Sequence, residues 1–382
     1  MKDNPSKMFQ AIKHMQKMKH KTPLLIRTET GELTANENDQ AKIIAKHFKS
    51  QFHKEHTNVV SKEPVAMKNP FTKEEVEKAV HRLKNNKAEG CDGIKAELLK
   101  HCPTIIYQQI ANIYNVAAAT GDSPKELIHG IITALQKPGK EKGPVENLGP
   151  ITLLSMLRKI LAICMKERIN GRMEAKIPAS QAAYRSGRST TEHVFATKVL
   201  SEKALTSKNH PIFIMILDMS KAFDTVNRET LINELSNTID DDEMLMIHLM
   251  LKTQLQIRCG NTLSDTFTTN TGVPQGNGLS ANEFTFYLAR ALSEQHQDHN
   301  YSKELTTPSV IHHDHSYHIQ PTKFEIDMQY ADDITTMSTD PNIIAQKIIT
   351  IPPKLKNKNL SINFSKTEFY EAKRVSVERK KM

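Results

Sequence analysis

The sequence predicts an α/β (α+β) fold in which helices alternate with short strands, and three observations carry that prediction. Apolar residues recur at helical spacing, as at Val76, Val80 and Leu83. The run "IFIMIL" at 212–217 follows a proline and is short enough for a buried strand. A third segment alternates through Phe324, Ile326, Met328 and Tyr330, then meets two adjacent acids before Ile334, the pattern of strand, tight turn and second strand.

The 382 residues leave room for two or three domains, and 38% hydrophobic with 25% charged residues suits a globular chain with a real core. Tryptophan is absent and aromatics make up 5%, so aliphatic residues and the 16 methionines must fill most of the interior. A formal charge of +9 favours a polyanionic partner such as nucleic acid. Cys91, Cys102, Cys164 and Cys259 form no C-x-x-C pair, which speaks against a zinc ribbon or a disulfide framework and for reduced thiols. The start lacks a signal-peptide core and no stretch nears the ~18 apolar residues of a membrane span. The expectation is an intracellular protein, nuclear or cytoplasmic, with no membrane partner.

In chain order, residues 1–70 read as a helical extension. Met8, Ile12, Met15 and Met18, then Ile44, Phe48 and Phe52, fall at helical spacing, with a turn at Gly31 and an N-cap near Asn38 or Asp39 between them. At "NPFTKEEVEKAVHRL" Thr72 and Glu75 form a capping box and Phe71 can staple onto Val76. Asp92-Gly93 reads as a turn. Helical spacing then holds from Ile94 to Ala119, "LIHGIITALQKPGK" reads as a strand and basic loop, and "ITLLSMLRKILAICMKERI" as a helix. Asp240 to Asp242 read as solvated acids at a helix N-terminus. Ser280 with Glu283 reads as a second capping box, after a loop in which Gly272, Gly276 and Gly278 permit close backbone approach.

Chemistry concentrates in the acids. Two carboxylates about 4 Å apart repel by about 4 kcal/mol at an effective dielectric near 20, so Asp332 and Asp333 need water or a cation to offset the pair. Asp218 closes the apolar run at 212–217, displaying a third carboxylate at a strand end. If the two strands are neighbours, Asp218, Asp332 and Asp333 make an oxygen-rich site for Mg²⁺, with Mn²⁺ as the alternative ion. A solvated acidic turn is the other reading.

The stretches "LKNNKAEGCDGIKAELLK", "NLGPITLLS", "QAAYRSGRSTTEHV", "LDMSKAFDTV", "GVPQGNGLS", "YADD" and "LSINFSKTE" follow one another from Leu83 to Glu368. In these residues and this order the chain resembles the reverse transcriptases of non-LTR (LINE-like) retrotransposons. The resemblance implies a right-hand polymerase fold. Residues 1–70 would be the extension, 71–205 the fingers, and 206–382 a palm with an antiparallel sheet flanked by helices, the thumb being absent or truncated. It implies RNA-templated DNA synthesis, dNTPs being added to a DNA primer by a two-metal mechanism.

By the same resemblance Asp218 and Asp332 are the principal metal ligands and Asp333 supports them. Phe223 is a gate against the sugar 2′-hydroxyl, and Gln275 and Gly276 touch the templating base and incoming nucleotide. Lys366 is a general acid near the leaving pyrophosphate, while Arg185, Arg188 and Tyr330 meet nucleic acid. Asp224 matches a frequent family acid but reads better as the opening of the following helix.

Three departures temper these expectations. Where the family has Asn-Tyr-Arg-Pro-Ile this chain has Asn147, Leu148, Gly149, Pro150 and Ile151, losing a triphosphate contact unless Lys137 or Lys140 supplies one. Asn282 and Glu283 occupy normally apolar positions, which puts the packing of their helix in question. The insert "SVIHHDHSYHI", with His312, His313, Asp314, His315 and His318, fits no closed zinc pattern and reads as a solvated loop. The competing expectation is a decayed or truncated copy, an inactive nucleic-acid-binding module. A polymerase making RNA is a third, opposed by Phe223.

Overall fold

Turn and cap chemistry starts the first elements. Gly31 lies at φ +90°, a backbone conformation that strains side chains, and turns the ladder of β1 (Ile26–Arg27) and β2 (Leu33–Thr34). The Asn36 carboxamide oxygen accepts from the amides of Asn38 and Asp39 at 2.9 and 3.2 Å. It opens α1 (Glu37–Phe52), which therefore starts slightly before the expected cap at Asn38 or Asp39 and buries Ile44, Phe48 and Phe52. The computed structural model describes residues 24–54, 64, 67–206, 211–274, 276, 278–293 and 325–372, and of 203–206 the backbone alone. Met8, Ile12, Met15 and Met18 lie outside the described residues.

The expected capping box is present: the Glu75 amide donates to the Thr72 hydroxyl and Glu75 accepts from the Thr72 amide, opening α2 (Lys73–Arg82). The pattern from Ile94 to Ala119 divides into α3 (Ala96–Lys100) and α4 (Ile105–Thr120), because Pro103 cannot continue a helix. One turn, α5 (Lys125–Ile128), leads into β3 (His129–Gln136), which β4 (Leu148–Leu154) follows. Here the structure corrects the sequence reading: "ITLL" belongs to β4, and α6 (Met156–Glu174) begins only after Ser155, whose hydroxyl accepts from the Arg158 amide at 3.1 Å. There follow α7 (Thr190–Thr206), β5 (Ile212–Leu217), α8 (Ala222–Thr225), α9 (Arg228–Ser236) and α10 (Asp241–Leu251). The chain continues through β6 (Thr253–Cys259), β7 (Thr262–Leu263), β8 (Phe267–Thr269) and α11 (Gly278–Ser293). Last come β9 (Glu325–Tyr330), β10 (Asp333–Ser338), α12 (Pro341–Asn357) and β11 (Glu368–Ala372).

Contacts divide the chain into two units, neither of them one contiguous span. The smaller joins residues up to Phe48 with Ile132–Ile151 and Gln256–Asp265. Within it the β1–β2 ladder meets Gly143, whose carbonyl accepts from the Arg27 amide at 2.9 Å. The larger holds the antiparallel sheet β11-β5-β10-β9, with β5 and β10 at its centre. One face of that sheet, through Met215, Leu217 and Ile334, joins the main core. The other, through Ile212, Met328 and Met337, is covered by Ala196 and Leu200 of α7. A further sheet has the order β4-β3-β6-β7, with β8 on β6.

Two buried arginines tie the larger unit together. Arg158 donates to the carbonyls of Leu127 (2.6 Å) and Met250, and Arg228 to those of Gly272, Leu251 and Thr269 at 2.7–2.8 Å. Glu283 is buried among these charges, so the expected capping box at Ser280 does not form: α11 begins at Gly278 and Ser280 lies within it. Burial pushes the Glu283 carboxyl up to about 7, against the pull of both guanidiniums. Asn282 is buried too, its amide donating to Asn170 at 2.6 Å. The polar residues that put this helix in question are thus accommodated inside. The acids at 240–242 do open α10, and Asp240 and Asp241 are exposed there, Asp240 pairing with Arg172, which also pairs with Glu243; only Asp242 is buried, accepting from the Asn69 amide at 2.8 Å. All four cysteines are free thiols.

Candidate active site

Register brings the acids together. Leu217 of β5 faces Ile334 of β10, and Asp333 faces Tyr330 across the β9–β10 turn. Asp218, the next residue after Leu217, therefore stands against the turn that carries Asp332 and Asp333, at one end of two central strands. The turn is tight enough to hold Ala331 at φ +56°, and Ala331 is buried. From the other side the Asp218 carbonyl accepts from the Asn363 amide at 2.8 Å, which carries the Lys366 segment alongside. The Lys366 ammonium lies 3.4 Å from Asp218 Oδ1 and 3.3 Å from Oδ2.

The site is short of positive charge. Burial raises the Asp332 carboxyl from its ordinary value, and the neighbouring Asp218 charge adds to the rise. Asp333 is raised by burial and by the charges of Asp332 and Asp218. Asp218 Oδ2 is buried and accepts no hydrogen bond, because Lys366 approaches it without bonding geometry. Among the described residues no three His, Cys, Asp or Glu side chains are already grouped to hold a metal ion. The acids share a sheet end, then, without forming a finished ligand set. An orphaned carboxylate oxygen beside two electrostatically raised carboxyls is nevertheless a donor set that suits a hard divalent cation.

Two residues that sequence reasoning passed over support this corner. Gln181 is fully buried, and its side-chain oxygen accepts from the amides of Ala331 and Ala183, both at 3.0 Å, while its nitrogen donates to the Ala331 carbonyl at 3.2 Å. It clamps the strained residue of the acidic turn. Tyr184, 49% exposed, sits at φ +61° with its ring edge-on to Phe223, centroids 6.3 Å apart. Burial and then the Asp332 charge raise its phenol. The only signal for either was their place in "QAAYRSGRST", from which Arg185 and Arg188 drew the attention.

Phe223 lies on α8 just past Asp218 and stacks on Phe284, centroids 4.3 Å apart. The Phe223 carbonyl accepts from the Val273 amide at 3.0 Å, and Gly272 approaches so closely that a Cβ would come 2.8 Å from the Asp224 carbonyl oxygen. Gly276 is equally confined: a Cβ there would meet the Thr152 carbonyl at 2.7 Å. Gln275 lies outside the described residues. Asp224 does not open the next helix, because Asn227 caps α9 by accepting from the Thr230 amide at 2.9 Å. Asp224 is instead buried and accepts from the Gln51 amide at 2.7 Å.

The remaining candidates divide. Tyr330 ends β9 beside the acids, its ring edge-on to His193. Arg185 is engaged by Glu174 at 2.5 Å and by the carbonyls of Pro178 and Gln181, and Arg188 by Glu192 at 2.6 Å and the Ala179 carbonyl. Both guanidiniums therefore brace the loop that carries Tyr184. Lys137 and Gly149 belong to the smaller unit, where Lys137 donates to the Glu146 carbonyl at 2.9 Å. His312, His313, His315 and His318 lie outside the described residues. No helix among the described residues is long and apolar enough to cross a membrane.

A family model described as reverse transcriptase (RNA-dependent DNA polymerase) matches residues 136–378. A protein of Drosophila melanogaster named probable RNA-directed DNA polymerase from transposon BS is 27% identical over 82% of this chain and 34% of its own length. The RNA-directed DNA polymerase from mobile element jockey of Drosophila funebris is 24% identical over 69% of this chain and 30% of its own length. The chain spans about a third of the length of these curated relatives. Among solved structures, apo telomerase from Candida tropicalis superposes with a TM-score of 0.45 at 13% identity, covering 70% of this chain and 49% of that one.

Proposed function

This chain belongs to the reverse transcriptase (RNA-dependent DNA polymerase) family, and on that premise we propose that it extends a DNA primer on an RNA template, consuming dNTPs with Mg²⁺. The observation that carries the reading is the register pairing Leu217 with Ile334, because it sets Asp218 against Asp332 and Asp333. The family works with divalent metal ions. Asp218 and Asp332 would hold them here, Asp333 assisting, and the ions would supply Lewis-acid activation of the primer 3′-hydroxyl and charge stabilisation at the phosphates.

The chain's own residues do the rest. Lys366, which pairs with Asp218, would give a proton to the departing pyrophosphate. Phe223, held between Phe284 and Tyr184, is a wall too rigid to yield to a 2′-hydroxyl. The loop at Gly276 keeps backbone close to the nascent base pair, while Tyr330 and the +9 charge favour the nucleic acid itself.

Primer extension on an RNA template tests the reading, with rNTPs in a parallel arm. The wild-type chain should extend with dNTPs. Asp332→Asn should lose about a thousandfold in rate, the loss of several kcal/mol of metal-borne stabilisation, while keeping its circular dichroism. A folded wild-type chain that binds template and extends nothing would overturn the proposal, and preference for rNTPs would reassign the product.

A further inference from the structure

The C-terminal end of α1 grips the segment that carries Phe223. The Gln51 amide nitrogen donates to Asp224 Oδ2 at 2.7 Å, and its oxygen accepts from the Lys221 ammonium at 2.8 Å, so one side chain spans both flanks of Phe223. Lys221 sits at φ +49°, where a non-glycine backbone is strained and needs holding. The next residues continue the clasp. The Phe52 carbonyl accepts from the amides of Asn270 and Thr271 at 3.0 and 3.3 Å. Lys54 and Asn270 exchange two bonds at 2.8 and 2.7 Å, backbone to side chain in both directions. Asn270 and Thr271 lead directly into Gly272 and Val273, and Val273 is bonded to Phe223. Residues 51–54 thus hold both sides of the sugar wall, the short helix from below and the glycine loop from its entry.

We infer that Gln51 is a positioning residue for sugar selection. It fixes Asp224 and Lys221, and through them the placement of the Phe223 ring against the nucleotide ribose. The inference rests on the polymerase reading above and adds to it a determinant in the N-terminal extension, far in sequence from any motif that suggested the activity. A wall works only if it does not give way, and a side chain misplaced by a fraction of an ångström loses discrimination before it loses chemistry.

The test has two arms. In hydrogen–deuterium exchange, Gln51→Ala should speed the amides of 221–226 and 270–274 and leave those of β9 and β10 unchanged. In primer extension it should lower the dNTP-over-rNTP selectivity by about tenfold, the fold-change that one hydrogen bond to a charged group sustains, with kcat for dNTPs little altered. Gln51→Glu should do the same, by facing the Asp224 carboxylate with another. Gln51→Glu combined with Asp224→Asn should restore both readouts, because the carboxylate then accepts from a carboxamide. Unchanged exchange in Gln51→Ala, unchanged selectivity in an active enzyme, or no rescue by the pair would overturn the inference. A wild-type chain that extends no primer defeats the polymerase reading instead, and the exchange arm still decides whether Gln51 holds the wall.

Discussion

At the scale of single residues, Asp218, Asp332 and Asp333 were legible because each breaks an apolar strand pattern, and an acid in that position needs a reason. Gln181 was not, because its role exists only through a turn 150 positions away in sequence. A buried carboxamide reads as nothing until its partner is seen. Gln181→Ala should leave the Ala331 amide and carbonyl unpaired, at about 1–3 kcal/mol for each group, seen as a lower urea midpoint and a slower extension rate. An unchanged rate would mean that the turn holds itself. For Phe223 the sequence suggested a wall, and the ring stacks on Phe284. Phe223→Ala should raise ribonucleotide incorporation in an active enzyme, counted by alkaline cleavage of the product, and unchanged sugar discrimination would remove the gate assignment.

At the scale of elements, the reading succeeded where signals were local. The capping box at Thr72, the strand at 212–217 and the hairpin around 331 follow from neighbouring residues, and all three are present. It failed where tertiary partners decide. Ser280 and Glu283 have capping-box spacing, but Arg158 and Arg228, contributed by α6 and α9, bring Glu283 inside. A carboxyl raised in the folded state favours that state while protonated. Its contribution is full below the unfolded carboxylate range and is lost as pH rises through about 7. The urea midpoint should therefore fall across that range, and Glu283→Gln should flatten the fall; an equally steep variant would show that Glu283 is not its source. The "ITLL" stretch misled for a related reason, since three apolar residues within four positions fit either period and only Ser155 marks where the helix starts.

For the whole molecule, the mixed class and the site-bearing sheet were readable, whereas the two interleaved units were not, because each is stitched from separated segments. Gly149 belongs to the smaller of them, and nothing crowds it: a Cβ would find its nearest neighbour at 3.9 Å, on the Leu135 carbonyl. The absence of tryptophan from all 382 residues gives the half-exposed ring at Tyr184 a practical consequence. An indole placed there by Tyr184→Trp would be the lone emitter at 350 nm, standing edge-on to Phe223 and near Asp332. Its quantum yield and anisotropy could follow occupancy of this corner in real time, in unlabelled protein and against a dark background.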